Sequence, residues 1–411
     1  VSDMAEVAYG SNPLDGGSSI PAEDFYVVLP YEDPAQNDTL QFTTDVGMAD
    51  VVILIDLSPS MNDEINNLKS NMSSVIQNIQ IAIPDTHFGL VSFGTWEDAP
   101  YTLEQRVTDT ALDVQIALNA LANTEGWYEP QEEALYQAAS GAGLTAQIRL
   151  KKTRGTPTYT YDDIAIPAVT DCEAGTHGGA CFRNDSLPIF LMVTDEPFQG
   201  YDLPVVPDDY YTGGIDGSWY VGTGHSLAEA IAAMNVKNAK FIGIDSSADI
   251  LTGPNPYYEQ VATGTGSENT AGEPFIYKIN PDGTVPGGTD LSAQVVAAVT
   301  ELTSTIALAL STGKESVANI YNVDTQNFIK AIDFLSADPA DGVQEVGGEL
   351  MVDPGTQVTY DVTFRNDFYD NQDPEAHLFT AKILVIGGSA TLDTRDVFII
   401  VPGKIPNSGE E

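Results

Sequence analysis

Apolar residues recur along this chain in two rhythms, and each predicts a different element. Five in a row, Val51 to Ile55, read as a strand buried on both faces of a parallel sheet. Directly after it, Ile65, Leu68, Met72, Val75, Ile76 and Ile79 return at three- and four-residue steps, which predicts an amphipathic helix. The alternation of strand and helix then continues. Phe88–Phe93 predicts a second strand and Tyr101–Val107 an edge strand. Thr110 to Asp113 reads as a capping box for a helix carried by Leu112, Ile116, Leu118 and Leu121, and Ala134, Leu135, Ala138 and Ala139 predict the next helix. Pro188–Thr194 is a further buried strand. Ser226 to Glu229 is a capping box opening a helix, Lys240–Asp245 and Phe275–Ile279 are strands, and Leu291–Leu310 is a closing helix.

After Gly313 the rhythm changes to a period of two. Val358, Tyr360, Val362 and Phe364 alternate, as do Phe379, Ala381, Ile383 and Val385, and then Val397, Ile399 and Val401. Extended segments at 25–29 and 40–44 precede the α/β part. The expected organisation is a flexible leader (1–20), N-terminal strands (21–47), a doubly wound α/β domain (48–312) with an excursion at 145–187, a C-terminal β-sandwich (313–403) and a tail (404–411). The strands at 21–47 are expected to complete the sandwich, which makes the α/β domain an insertion in it; a separate N-terminal extension is the alternative.

Composition narrows the function classes. With 411 residues and 42% hydrophobic positions the chain can bury sizeable cores. Sixty Asp and Glu against 16 Lys and Arg give a net charge of −44, which opposes nucleic acid and anionic membranes as partners. No apolar run approaches the ~18 residues of a membrane span. Cys172 and Cys181 lie nine apart in a polar, loop-like stretch, which reads as a local disulfide of an exported protein, with two free thiols as the alternative.

The candidate chemistry sits where the first buried strand ends, at Asp56-Leu57-Ser58-Pro59-Ser60. In an open α/β sheet the carboxyl edge is where ligands bind. One carboxylate and two hydroxyls offer hard oxygen donors, which suit Mg²⁺, Ca²⁺ or Mn²⁺ rather than Zn²⁺. Alternatively Asp56 and Ser58 only cap the following helix.

The stretch DLSPSM, followed closely by Asp63 and Glu64, resembles the metal-ion-dependent adhesion site of von Willebrand factor A domains, most of all that of integrin β-subunit I-like domains. The resemblance implies further ligands. Glu129, five residues before Ala134, falls where these domains place a third ligand, and Asp195, closing the strand in Thr194-Asp195, falls where they place a fourth. It also implies an adjacent Ca²⁺ at Asp63 and Glu64. It implies no third, synergistic cation, because Thr95, Thr124 and Gly126 stand where that site has its ligands. The overall arrangement also resembles bacterial surface proteins that carry such a domain.

The expected function is therefore extracellular, metal-dependent ligand binding or adhesion at a secreted or cell-surface location. An acidic side chain of a protein partner would complete the shell of a Mg²⁺ (or Ca²⁺ or Mn²⁺) held by Asp56, Ser58, Ser60, Glu129 and Asp195. Exposed aromatic residues, Trp127, Tyr128, Tyr210, Tyr211 and Trp219, suit contact with a protein or glycan. The alternative is a self-associating structural subunit of a filament or layer in which the cation stabilises the domain. No G-x-S-x-G, H-E-x-x-H or Walker motif is present, and the four His are scattered, so no enzyme is expected.

Overall fold

The computed structural model describes residues 25–96, 99–124, 129–149, 161–198, 224–248, 253–269, 271–280, 284 and 291–404. The chain divides into two compact units, one of residues 46–306 and one formed by the segments before and after it. The chain enters the second of these first, with β1 (Phe25–Val28) and β2 (Gln36–Phe42).

The α/β unit follows. Its elements are β3 (Met48–Asp56), α1 (Asn62–Ala82), β4 (Asp85–Phe93), β5 (Thr102–Thr108), α2 (Ala111–Ala120), α3 (Gln131–Ser140), β6 (Leu144–Arg149), β7 (Tyr161–Ile166), β8 (Thr176–His177), β9 (Phe182–Arg183), β10 (Leu187–Thr194), α4 (Leu227–Asn235), β11 (Lys240–Asp245), α5 (Asn255–Gly264), β12 (Ile276–Lys278) and α6 (Leu291–Thr305). Six strands form one sheet in the order β12-β11-β10-β3-β4-β5, parallel except for β5 at the edge. β3 is central, with Val51 beside Ile189 on one side and Phe88 on the other. Val51 to Ile55 are fully buried because both faces are covered. On one face Val52 and Leu54 join a core with α3, α4 and α5, through Leu135, Met234 and Tyr258. Of the other helices, α1 packs against α2 and α6. This is the doubly wound α/β architecture that the alternating rhythm predicts.

Three local expectations need correction. Thr110 precedes α2 but makes no cap bond; its hydroxyl turns to Asp109. Leu112 and Ile116 are exposed, and α2 packs through Val114 and Leu118 instead. α6 ends at Thr305 rather than Leu310, because the chain leaves for a strand beginning at Leu308. The Ser226–Glu229 capping box is present in both halves.

The excursion contains two hairpins, β6–β7 and β8–β9. Cys172 and Cys181 are disulfide-bonded. The bond encloses β8 and lies beyond the return strand of the β6–β7 hairpin. Lys151, Lys152, Arg154 and Tyr159 lie outside the described residues. The stretch after the disulfide is bolted to the amino-terminal edge of the sheet. Arg183 donates to Asp50 through its backbone N–H (2.7 Å) and Nε (2.8 Å), and to Asp85 through a terminal nitrogen (2.7 Å); Ser186 Oγ also donates to Asp50 (2.8 Å). Within the disulfide loop Gly179 lets the chain pass the end of α3, since a Cβ there would lie 1.9 Å from the Gln137 carbonyl oxygen.

The second unit resumes with β13 (Leu308–Ser316), β14 (Ile329–Asp338), β15 (Val343–Val346), β16 (Glu349–Val352), β17 (Gln357–Phe364), β18 (His377–Gly387) and β19 (Ala390–Val401). One sheet runs β1-β19-β18-β13-β16-β15 and another β14-β17-β2. The two early strands thus pair with late ones: β1 runs parallel to β19, and β2 antiparallel to β17. The alternating residues of β17 and β18 point inward, with Val358, Val362, Phe364, Phe379, Ile383 and Val385 buried. Among the described residues no helix is long and apolar enough to cross a membrane.

Candidate metal centre

Asp56 is the last residue of β3 and is completely buried. Its two oxygens are fixed by different strands. Oδ1 accepts the Ser58 backbone N–H at 2.7 Å, closing a tight turn, and Oδ2 accepts the Thr194 hydroxyl at 2.6 Å from the end of β10. Ser58 Oγ lies 3.0 Å from Ser60 Oγ, and Ser60 Oγ donates to Asp195 Oδ1 at 3.2 Å. Asp56, Ser58, Ser60 and Asp195 are therefore linked into one cluster across the carboxyl ends of two neighbouring strands.

The capping alternative finds no support in this geometry. Ser58 begins a short 3-10 turn (Pro59–Met61) and Met61 precedes α1, and neither position makes a side-chain cap bond. The polar atoms of Asp56 and Ser58 serve the cluster instead.

Glu129 reaches the same place from the loop before α3. That loop is docked on the Asp56 turn: Thr124 N–H donates to the Leu57 carbonyl (2.9 Å) and Asn123 Nδ2 to the Ser58 carbonyl (2.8 Å). Glu129 is buried, and its Oε2 has no hydrogen-bond partner. Burial, together with the Asp56 and Glu196 carboxylates, holds the Glu129 carboxyl well above its ordinary range. Burial likewise pushes Asp56 up to about 7, against the opposing effect of its Thr194 and Ser58 bonds, and raises Asp195. No salt bridge among the described residues reaches Asp56, Glu129 or Asp195. The charged forms of Asp56 and Glu129 want a positive partner that the described residues do not supply, and Asp195 feels Lys278 without pairing to it.

The donor set passes a simple test of fit for a hard divalent cation. All of its atoms are carboxylate or hydroxyl oxygens, one of them buried without a partner. The 3.0 Å spacing of the two serine oxygens also matches the edge of about 3 Å that joins neighbouring ligands around an ion with ~2.1 Å bonds. The site is not a cage of acids: among the described residues no three His, Cys, Asp or Glu side chains gather closely enough to hold an ion by themselves. Serine hydroxyls and water would have to complete the shell, as suits Mg²⁺, which keeps several waters.

Asp63 and Glu64, expected to share an adjacent ion, differ in exposure, although the Asp63 charge acts on Glu64. Asp63 is exposed, whereas Glu64 is buried and its carboxyl is pushed up to about 7, chiefly by burial. Ser246 bonds to Glu64, whose Oε2 has no partner. Thr124 has a buried hydroxyl without a partner in the same region. Trp127, Tyr128, Tyr210, Tyr211 and Trp219 lie outside the described residues. Thr194 and Glu64 were legible only as a strand end and as one of an acid pair; no sequence signal marks Thr194 as the hydroxyl that fixes Asp56.

A doubly wound sheet with an Asp-x-Ser-x-Ser turn at the end of its central strand defines a class of α/β domain. Residues 50–147 match the family model of the von Willebrand factor type A domain, and the chain carries such a domain. Solved structures with a similar course include a von Willebrand factor type A protein from Catenulispora acidiphila (12% identity, TM-score 0.38, 92% of this chain and 72% of that one). They also include proximal thread matrix protein 1 from the mussel byssus (12%, 0.38, 66% and 50%) and the pilus adhesin SpaC from Lactobacillus rhamnosus GG in an open conformation (13%, 0.35, 90% and 45%). The chain spans about half the length of the latter two. At these TM-scores the likenesses bear on nothing further. A search of curated proteins gave no match.

Proposed function

We propose that the chain is a surface or secreted binding protein whose von Willebrand factor type A domain holds one divalent cation, Mg²⁺ in the first place, at Asp56, Ser58, Ser60, Glu129 and Asp195. The observation that carries this reading is the fully buried Asp56, gathered with Asp195 and the partnerless Glu129 oxygen, with no salt bridge to any of the three among the described residues. When bound, the ion supplies Lewis acidity and an exchangeable position for an oxygen ligand. The chain's own part is to hold the serine hydroxyls through the Asp56 turn and to keep Asp56 aimed through Thr194. A partner presenting an acidic side chain would take the exchangeable position, which makes the role adhesion or ligand capture rather than catalysis.

The test is calorimetric titration of Mg²⁺, Ca²⁺ and Mn²⁺ into EDTA-stripped protein, beside an Asp56→Ala/Asp195→Ala variant. Saturable binding that the variant loses is the expected result. Equal heats in both proteins, or none in either, would remove the metal from the reading.

A structural subunit is the second reading, and β14 favours it. This edge strand exposes Phe334 and Leu335 beside backbone that no described strand pairs, a surface prone to strand pairing with another copy. Concentration-dependent sedimentation that Phe334→Lys abolishes would move this reading ahead. A monomer at all concentrations would set it aside.

A further inference from the structure

The turn that ends β3 has a counterpart two strands away. Asp245 closes β11, and its Oδ1 accepts the Ser247 backbone N–H at 2.8 Å, as Asp56 Oδ1 accepts that of Ser58 at 2.7 Å. Asp245 is also buried and stands in register with Thr194 on one side and Lys278 on the other. Lys278 Nζ donates to Asp245 Oδ1 (2.9 Å), to Ser247 Oγ (2.7 Å) and to the Ser247 carbonyl. A carboxylate, a hydroxyl and a carbonyl oxygen thus converge on one ammonium. Those are the oxygen types that bind Ca²⁺. Asp245 Oδ2 is buried with no partner of its own. A cavity of about 240 Å³ opens beside the ammonium, lined by Asp245, Asn255, Glu259 and Lys278 among others, which leaves room for water and two more oxygen-bearing side chains.

We infer that the Asp245–Ser247 turn is a second cation-binding turn whose occupant is the chain's own Lys278 ammonium, so that Lys278 limits this sheet edge to one exchangeable divalent cation. The lysine fills the position and repels a second ion. It also places a positive charge near Asp195, whose carboxyl is raised chiefly by burial and to a lesser degree by Asp245, with Lys278 acting in the opposite direction. With the lysine gone, Asp245, Ser247, Asn255 and Glu259 would leave an oxygen-lined, hydrated site. Calcium is the ion it would take, because Ca²⁺ accepts six to eight oxygens in loose geometry where Mg²⁺ does not.

The experiment is Ca²⁺ calorimetry on the full chain, titrated to about 10 mM, above the ~1 mM dissociation constants of weak calcium modules. Comparing wild type with Asp56→Ala reports the first site. Comparing Asp56→Ala with Asp56→Ala/Lys278→Met reports the second, whether or not the first binds anything. The double variant is expected to take up one Ca²⁺ that Asp56→Ala does not. Adding Asp245→Asn should abolish that uptake, and Lys278→Arg in place of methionine should show none. Equal uptake with lysine and methionine would overturn the inference. If the methionine variant melts early because Asp245 is left unpaired, Ca²⁺ is expected to restore its transition; a transition that Ca²⁺ does not move would also overturn it.

Discussion

Replacing Asp56 by Asn should stabilise the metal-free protein and abolish its response to cations, a pair of effects that only a cation site with a real burial penalty produces. In the metal-free fold the Asp56 carboxyl is raised from an ordinary 3.8 to about 7, with burial as the main cause. The native state therefore binds a proton more readily than the unfolded chain between pH 4 and 7. Stability falls as pH rises through that window and is lowest above it. At about 1.4 kcal/mol per pH unit, the gap amounts to roughly 4 kcal/mol at pH 8. Part of that is shared with Glu129 and Asp195, which ionise more easily once Asp56 is neutral, so about 2–4 kcal/mol is the expected gain. Asparagine can keep the geometry: its Oδ1 accepts the Ser58 N–H, and its amide donates to Thr194 Oγ1. A gain of this size raises the melting temperature of the α/β unit by roughly 4–16 °C. The assay is thermal unfolding followed by near-ultraviolet circular dichroism at pH 8, in EDTA and then in Mg²⁺. Wild type should gain about 2.7 kcal/mol at a cation concentration a hundred times the dissociation constant, and the variant nothing. By pH 5 the advantage of asparagine should shrink to under half. An asparagine variant less stable than wild type in EDTA at pH 8 would refute the burial argument, and one that still responded fully to Mg²⁺ would refute the site.

Arg183→Ala should destabilise the α/β unit by about 3–5 kcal/mol, because it leaves Asp50 buried without its cation; Arg183→Met with Asp50→Leu should recover much of the loss in a urea titration. Cys172→Ser/Cys181→Ser should cost about 2–3 kcal/mol, the chain-entropy value for a loop of about ten residues, read as a lower urea midpoint. Lys240 is lowered to about 8 by burial, so the native state loses its proton before the unfolded chain does. Stability should gain from this lysine as pH rises from 8 to 10.5, and Lys240→Met should flatten that part of the pH profile.

Most strands and helices of the α/β unit were legible because burial on both faces leaves unbroken apolar runs and one-sided helices leave a three- and four-residue rhythm; α5 (Asn255–Gly264) went unread. The rhythm failed at α2, where Leu112 and Ile116 are apolar yet exposed, since period alone cannot tell which of two apolar stripes meets the sheet. In the second unit β17, β18 and β19 alternate cleanly. β13, β14 and β15 went unread: they are mostly exposed or half-buried along their length and so leave no pattern of period two. At the candidate site Asp56, Ser58 and Ser60 announce themselves by spacing. The partners that decide their chemistry come from far along the chain. Thr194 is 138 residues from Asp56, and Asp195 is 135 from Ser60. The Asp50–Arg183 pair spans 133 residues and has no local signal in the sequence.

β3 poses one electrostatic problem twice. It carries a completely buried carboxylate at each end, Asp50 and Asp56. At Asp50 the chain answers with Arg183 from the disulfide-bearing excursion, and at Asp245, two strands from Asp56, with Lys278. Only 16 basic residues serve 60 acids here, yet two are committed to buried acids of this one sheet. Asp56 and Glu129 receive none among the described residues, and Asp195 beside them forms no salt bridge, only feeling Lys278 from the neighbouring turn. A fold able to place a guanidinium at one end of its central strand had the means to place one at the other. Leaving the carboxyl edge short of positive charge costs stability in the metal-free state, and such local costs are expected where a site must accept something from outside.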